Sequence, residues 1–204
     1  MLLHTVRLPT PDLEASVGFY QALGFALSEL EASRARVVPR SGARLELVQA
    51  PLPLGAVAVL QGARGWIRDP DGNLLLYAPA PAAPRAVGQA TVHAVLYPVG
   101  NVRASTHWYA RALGWPERFA DARLPWSELA PTPKAPRLAL TPPLANEARA
   151  ALLLRVPAVF RELERLQEHG LEPGWVREVA WGRLAGYTDP GGNPLVLMER
   201  NGSG

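Results

Sequence analysis

Cysteine is the most informative absence in this chain of 204 residues. Without cysteine the protein has no disulfide, no thiolate metal ligand and no cysteine nucleophile. Any metal would therefore be held by histidine, carboxylate or water ligands.

Long apolar runs are also missing. No stretch of about 18 consecutive apolar residues is present, which argues against a membrane partner. Residues 2–8 alternate as a strand from the beginning, without the layout of a signal peptide. We therefore expect a cytoplasmic protein. Its 48% hydrophobic content is enough to bury a sizeable core.

Neither sign of charge predominates, because the formal net charge is only +3. The basic residues are scattered and form no stripe interleaved with aromatic side chains. A nucleic-acid partner would require such a basic surface. The charge pattern therefore indicates no nucleic-acid partner and leaves a small molecule as the expected one.

A repeated turn motif is what the chain does have. DPDGN occupies residues 69–73 and DPGGN occupies residues 189–193, each between extended apolar segments. Aspartate can cap a turn through its side chain, proline presets φ, and glycine followed by asparagine tolerates the left-handed conformation. Each motif is therefore predicted to join two strands of a hairpin, and the repetition indicates a duplicated plan.

The repeat extends beyond the two turns. His4 lies 16 residues before Tyr20, and His93 lies 16 residues before Tyr109. From histidine to turn aspartate the first copy spans 65 residues and the second spans 96. We predict that the first copy has lost a helix, and that the missing piece corresponds to residues 150–171.

A proline-rich segment separates the copies, since residues 78–84 read APAPAAP. Such a segment is typical of a semi-rigid linker. The predicted division is an N-terminal domain at 1–78, a linker at 79–88 and a C-terminal domain at 89–200.

Three helices are predicted from apolar spacing and capping residues. The first begins with Thr10 as N-cap and ends at Gly24, and the second runs from Asn101 to Leu113. The third covers about 157–169 and should turn Val159, Phe160, Leu163 and Leu166 inward.

The order of these features resembles the vicinal oxygen chelate superfamily, which includes glyoxalase I, bleomycin-resistance proteins and extradiol dioxygenases. The motifs that carry the resemblance are His4, PDLEAS at 11–16, FY at 19–20, LGF at 23–25, WGR at 181–183 and both turns. The resemblance covers nearly the whole chain. It implies an α+β fold of paired βαβββ modules that form cupped mixed sheets, here two tandem glyoxalase-like domains with the first shortened.

The resemblance also implies a divalent metal that chelates neighbouring substrate oxygens through three or four nitrogen or oxygen ligands. His4 matches the histidine of the first strand, and Glu46 matches the carboxylate that glyoxalase I carries on its fourth strand. His93 is the weaker candidate in the second copy. The alternative for both histidines is a hydrogen-bonded core or cup residue, and the alternative for Glu46 is an ion pair with Arg36 or Arg44.

The remaining ligand positions of the resemblance carry no donor. Leu76 and Val196 stand where a closing glutamate is expected, Ala139 matches Glu46, and Ala151 falls where a second histidine would lie. Neither copy therefore presents a complete ligand set.

The incomplete ligand set favours a protein that binds a small apolar or aromatic molecule in a cupped sheet, as bleomycin-resistance proteins do, with no cofactor. The alternative is a metal-dependent lyase or ring-cleaving dioxygenase in which His4 and Glu46 chelate vicinal substrate oxygens. Whether the chain is an enzyme is therefore left open. A third alternative is a degenerate scaffold that mainly forms a homodimer. The sequence identifies no catalytic or ligand-binding residue beyond these.

Overall fold

The computed structural model describes residues 1–51, 55–82, 87–121, 123–144 and 148–201. This part of the chain forms two curled mixed sheets and three helices. The predicted α+β class with two cupped sheets is confirmed.

The first sheet has seven strands. Its elements are β1 (Leu3–Thr10), α1 (Leu13–Ala22), β2 (Ala26–Glu31), β3 (Arg34–Val38), β4 (Arg44–Gln49), β5 (Val57–Gln61), β6 (Gly65–Arg68) and β7 (Leu74–Ala78). The strand order is β2-β3-β4-β1-β5-β7-β6, with β1 parallel to β4 and antiparallel to β5. The first five elements follow the predicted order of strand, helix and three strands.

The second sheet has eight strands. Its elements are β8 (Thr91–Pro98), α2 (Val102–Leu113), β9 (Glu117–Asp121), β10 (Trp126–Leu129), β11 (Arg137–Thr141), β12 (Ala151–Arg155), α3 (Val159–Gln167), β13 (Trp175–Val179), β14 (Gly182–Thr188) and β15 (Pro194–Arg200). The order is β13-β14-β15-β12-β8-β11-β10-β9. None of the helices in the described ranges is long and apolar enough to cross a membrane.

The two sheets share one plan, because β9-β10-β11-β8-β12-β15-β14 repeats β2-β3-β4-β1-β5-β7-β6 strand for strand. The extra pieces of the second copy are α3 and β13. The loss of a helix from the first copy is therefore confirmed, but the predicted extent of 150–171 is wrong. That range includes β12, whose counterpart β5 is present, because both strands pair antiparallel with the first strand of their sheet.

The proposed linker lies where the chain passes from one sheet to the other. Its described residues, 79–82 and 87–88, contain no helix or strand, and residues 83–86 lie outside the described part. The domain limits at residues 78 and 89 stay a prediction.

The start of α1 differs from the prediction. Asp12, not Thr10, is the N-cap, and its carboxylate accepts a hydrogen bond from the Ala15 N–H at 2.9 Å. Thr10 belongs to β1, and its buried hydroxyl instead lies 2.7 Å from the hydroxyl of Ser16. At the other end Gly24 has φ +87°, the left-handed conformation expected after a helix.

The inward face of α3 is narrower than predicted. Val159, Leu163 and Leu166 are buried, four and three residues apart, so they lie on one face of the helix. Phe160 is adjacent to Val159 and therefore points about 100° away from it. Its side chain is 48% exposed, with the Arg183 guanidinium 4.6 Å from the ring centroid.

The main core lies on the helical side of both sheets. It is continuous across the chain, because it contains residues of both sheets and of all three helices, among them Val6, Tyr20, Val95, Tyr109 and Leu163. A second apolar cluster fills the opposite, concave face of the second sheet only, and includes Leu96, Trp126 and Val196. We call the two concave faces the first cup and the second cup.

Two tyrosines join the halves of the molecule reciprocally. Tyr20 in α1 donates its hydroxyl to Asp189 Oδ2 at 2.9 Å, and Tyr109 in α2 donates to Asp69 Oδ2 at 2.7 Å. Each aspartate begins a repeated turn, and each tyrosine belongs to the other half of the chain.

The turn asparagines repeat this exchange. Asn193 donates its side-chain N–H to the Pro9 carbonyl at 2.7 Å, and Asn73 donates to the Pro98 carbonyl at 3.1 Å. Both motifs connect hairpin strands, as predicted. They also fasten one sheet to the other, which the sequence did not indicate.

Candidate functional site

The first cup contains both leading site candidates. His4 lies on β1 and Glu46 on β4, and the parallel register places Arg7 of β1 opposite Glu46. Together they line a cavity of about 590 Å³. The other charged residues of its lining are Arg7, Arg34, Arg36, Arg44 and Arg64.

Glu46 is surrounded by guanidinium groups. Its Oε2 lies 2.6 Å from Arg7 Nη2, and its Oε1 lies 3.4 Å from Arg34 Nη1 and 3.8 Å from Arg36 Nε. The expected ion pair with Arg36 is therefore present, together with two that were not expected. Both carboxylate oxygens face positive charge.

His4 is hydrogen-bonded through both ring nitrogens. Nε2 lies 3.3 Å from the Ala78 carbonyl oxygen, which only accepts, so Nε2 carries the proton. Nδ1 then accepts from the Thr5 hydroxyl at 2.8 Å. Burial lowers the pKa of His4, and the nearby charge of Arg44 lowers it further, against the raising effect of the Ala78 carbonyl.

A divalent metal does not fit this donor set. The free lone pair of His4 and both oxygens of Glu46 are engaged, and the surrounding arginines repel a dication. Within the described ranges, no three His, Asp or Glu side chains come together in a group that could hold a metal ion. The metal-ligand role of His4, Glu46 and His93 stays a prediction.

The second cup places His93 at the position of His4. In the second sheet Leu96 pairs with Ala139 as Arg7 pairs with Glu46 in the first, which agrees with the predicted match of Ala139 to Glu46. His93 is buried, and its Nε2 donates to Glu128 Oε2 at 3.1 Å.

Glu128 is the charged centre of the second cup and was missed in the sequence. Its side chain is fully buried, and Trp126 Nε1 donates to Oε1 at 2.9 Å. Arg137 and Arg200 also form ion pairs with its carboxylate. No signal in WSEL at 126–129 indicated this, since all four of its residues are buried.

The protonation states in this network follow from its charges. Burial opposes ionisation of Glu128, but the hydrogen bond from His93 and the charge of Arg200 outweigh it and lower its pKa to about 2. Burial lowers the pKa of His93 in spite of the neighbouring carboxylate. The network therefore consists of one carboxylate, two guanidiniums and a neutral imidazole.

Beside this network the second cup encloses a smaller cavity of about 170 Å³. Its apolar lining includes Leu96, Leu144, Ala151, Trp175 and Val196. Ala151 and Val196 stand at two of the positions where the resemblance expects metal ligands. The second cup therefore has apolar side chains at positions where the resemblance expects metal-binding donors.

One hydroxyl group that faces this cavity lacks a partner. Thr141 is buried and lines it, and its Oγ1 has no hydrogen-bond partner among the described residues. The Tyr187 hydroxyl is also buried without a partner among the described residues, but it lies on the opposite, helical face of β14, where Tyr187 belongs to the main core and Arg183 packs on Phe160 of α3. Burial raises the pKa of Tyr187 to about 12. An unpaired buried hydroxyl is costly unless a ligand or water completes it.

Trp175 closes one side of the cavity. It pairs with Gly186 across β13 and β14, and a Cβ at Gly186 would lie only 2.1 Å from Cε2 and Nε1 of the indole. Glycine is therefore required for the ring to lie flat against β14. Because β13 has no counterpart among the described strands of the first sheet, the described part of the first cup has no equivalent cover.

Comparisons with known proteins agree with this architecture. The family model described as bleomycin resistance protein-like N-terminal matches residues 3–35, which contain β1, α1 and β2. A search of curated proteins finds no match.

Solved structures resemble nearly the whole chain. The Mn(II)-bound glyoxalase from Novosphingobium aromaticivorans is 15% identical with a TM-score of 0.70, over 96% of this chain and 81% of that one. Homoprotocatechuate 2,3-dioxygenase from Arthrobacter globiformis is 14% identical with a TM-score of 0.70, over 98% and 80%. A catechol 2,3-dioxygenase is 13% identical with a TM-score of 0.66, over 98% and 94%. The chain therefore has the fold of the vicinal oxygen chelate superfamily, as the motifs predicted.

Proposed function

We propose that the protein binds a small, neutral, monocyclic aromatic molecule in the second cup, and that it does so without a metal. The observation that carries this proposal is the unpartnered hydroxyl of Thr141 beside the apolar side chains of the cavity. A ligand with a polar oxygen would complete this hydroxyl while its ring packs on the apolar side chains.

The size of the cavity supports a single ring. An apolar cavity of about 150 Å³ stays dry and accepts benzene, and the cavity here measures about 170 Å³. Trp175 offers an aromatic face, and Leu96, Ala151 and Val196 offer aliphatic contacts. Such pockets, apolar with few polar groups, are typical of small-molecule sites.

The chemistry of the lining supports a neutral ligand with an acceptor oxygen. Thr141 offers a hydroxyl donor, and Arg149, the charged side chain of the lining, already donates to the Gly192 carbonyl at 2.7 Å. Elsewhere in the cup, Arg137 and Arg200 pair with Glu128. A ketone or phenol oxygen matches a hydroxyl donor, whereas a carboxylate would lose its hydration without a free cation in return.

The test compares two ligands of nearly equal shape. Acetophenone has a carbonyl oxygen where α-methylstyrene has a methylene group, so the two differ mainly in the ability to accept a hydrogen bond. We expect calorimetry to show tighter binding of acetophenone by about 3- to 10-fold, the usual contribution of one hydrogen bond.

Variants locate the binding to this cup. Thr141→Val should reduce acetophenone affinity while leaving α-methylstyrene affinity unchanged. Tyr77→Phe, in the first sheet, is the control and should change neither. Equal binding of the two ligands to the natural protein, or equal losses in Tyr77→Phe, would refute the proposal.

A further inference from the structure

The first cup has a chemistry of its own, because its wall is rich in arginine. Arg34 and Arg36 alternate along β3, Arg44 follows the same face of β4, and Arg64 stands just before β6. Strand residues two apart point to the same side of a sheet. The side chains of three neighbouring strands, β3, β4 and β1, are thereby directed at one cavity of about 590 Å³, which Arg64 also lines.

The carboxylates nearby do not balance these arginines. Arg7 pairs with Glu46, Arg34 pairs with Glu31 at 2.6 Å and Arg36 pairs with Glu29. Five arginines face three glutamates, which leaves two positive charges in excess.

Arg44 and Arg64 account for this excess. Arg44 donates Nη2 to the Ala82 carbonyl at 2.7 Å, and no carboxylate of the described residues pairs with it. Burial and the charge of Arg36 lower its pKa, so its charge is held at a cost. Arg64 is exposed and makes no hydrogen bond or ion pair to another described residue.

An aromatic surface adjoins these two cations. Trp66 lines the same cavity, and 66% of its surface is exposed, the largest fraction among the exposed large hydrophobic residues. Leu76 and Val59 extend the apolar part of the lining. An exposed tryptophan beside two arginines that no described carboxylate neutralises is a surface that would gain from a flat, negatively charged ligand.

We propose that the first cup is a second binding site, which takes an aromatic carboxylate. Arg44 and Arg64 would hold the carboxylate, and the ring would pack on Trp66. The site is independent of the neutral site in the second cup, because the two cavities share no lining residue.

The experiment uses 1-naphthoate and its uncharged analogue 1-naphthamide as probes, titrated calorimetrically into the full chain. We expect naphthoate to bind at least 10-fold more tightly than naphthamide at 50 mM salt. The difference should shrink at 300 mM salt, because the open cup exposes the charges to screening. Equal affinity of the two probes at low salt would overturn the proposal.

Substitutions test whether naphthoate binds in the first cup. Arg44→Gln and Arg64→Gln should each weaken naphthoate binding by about 10-fold, the scale of one charge-assisted hydrogen bond, and Trp66→Ala should weaken both probes. Arg103→Gln removes the same charge from the exposed face of α2 and should have no effect. Equal losses in Arg103→Gln would show only general charge attraction and would refute the site.

Two features keep this test decisive. Arg64 is exposed outside any strand, so Arg64→Gln should fold normally even if Arg44→Gln does not. Thr141→Val, which should impair the neutral site, should leave naphthoate binding intact. The two proposals can therefore fail separately.

Discussion

The two cups occupy the same positions of one fold but contain opposite chemistry. Register equates Thr5, Arg7 and Glu46 in the first sheet with Ala94, Leu96 and Ala139 in the second. In the second cup these positions join an apolar cluster sealed beside β13, and in the first they line an open, charged cavity.

Each cup retains one central carboxylate, on different strands. Glu46 lies on β4, whereas Glu128 lies on β10, the counterpart of β3, where the first sheet has Arg36. The two pairs differ in burial, since the Arg7 side chain is 44% exposed and the Arg137 side chain only 16%. The same fold therefore supports a solvated ion pair in one cup and a desolvated one in the other.

The largest expected difference between the cups is in the stability contributed by these carboxylates. Glu128→Gln leaves two largely buried guanidiniums without their counter-ion and should lower the free energy of unfolding by about 3–5 kcal/mol. Glu46→Gln breaks pairs with half-exposed arginines and should cost about 1 kcal/mol or less. Urea denaturation measures both, and similar losses would contradict the contrast.

Acidification should reduce the contribution of Glu128. Its pKa is lowered from 4.5 to about 2 in the folded protein, so the native state binds fewer protons than the unfolded state between these values. The stabilisation is present above pH 4.5 and is lost as the pH falls towards 2. The difference in unfolding free energy between natural protein and Glu128→Gln should therefore narrow over that range, whereas the difference for Thr141→Val should stay constant.

The sequence predicts the two sheets better than it predicts the contents of the cups. The duplicated turns, the histidine spacing and the alternating strands predict the two sheets, because these signals are local and repeated. The partners of Glu46 are less predictable. The spacing of Arg34 and Arg36 predicts that both lie on the same face of a strand. The contact of Glu46 with Arg7, in contrast, depends on the parallel pairing of β1 with β4 across 39 residues.

The candidate ligand site in the second cup was beyond the sequence for a different reason. Thr141 ends β11, and its importance lies in having no hydrogen-bond partner among the described residues, which only the packed structure reveals. Glu128 sits in a short, wholly buried strand, where no alternation marks the direction of its side chain. The substitution of expected donors by Ala139, Ala151 and Val196 was the one signal that pointed to this cup.

Tyr20 and Tyr109 make equivalent hydrogen bonds to the two turn aspartates, so they test whether the two turns contribute equally to stability. Tyr20→Phe and Tyr109→Phe each remove a hydrogen bond to a turn carboxylate and should each cost about 2 kcal/mol. Both losses should appear in one cooperative unfolding transition, because the core is continuous across the halves. Separate transitions, or a loss in only one variant, would break the equivalence of the two turns.

The two unpartnered hydroxyls of the described part of the second sheet, Tyr187 on its helical face and Thr141 in the cup, should respond in the opposite direction. Tyr187→Phe makes the same chemical change as Tyr109→Phe, but it removes a buried hydroxyl that has no partner among the described residues. Without ligand, we expect Tyr187→Phe and Thr141→Val to leave the unfolding free energy unchanged or raise it by up to about 1 kcal/mol. Destabilisation by Thr141→Val would mean that this hydroxyl is already satisfied, and would weaken the proposed ligand site.

Metal content should be the property in which the two cups differ least. Protein purified without chelator should contain well under one divalent ion per chain, because Glu46 and Glu128 are both held by arginines and, in the described ranges, no three His, Asp or Glu side chains come together to hold a metal ion. Elemental analysis of the natural protein, His4→Ala, Glu46→Ala and His93→Ala should give the same low values. Stoichiometric metal that disappears in both His4→Ala and Glu46→Ala would instead place a metal centre in the first cup. The arginine cavity would then have to be reinterpreted as its substrate-binding wall.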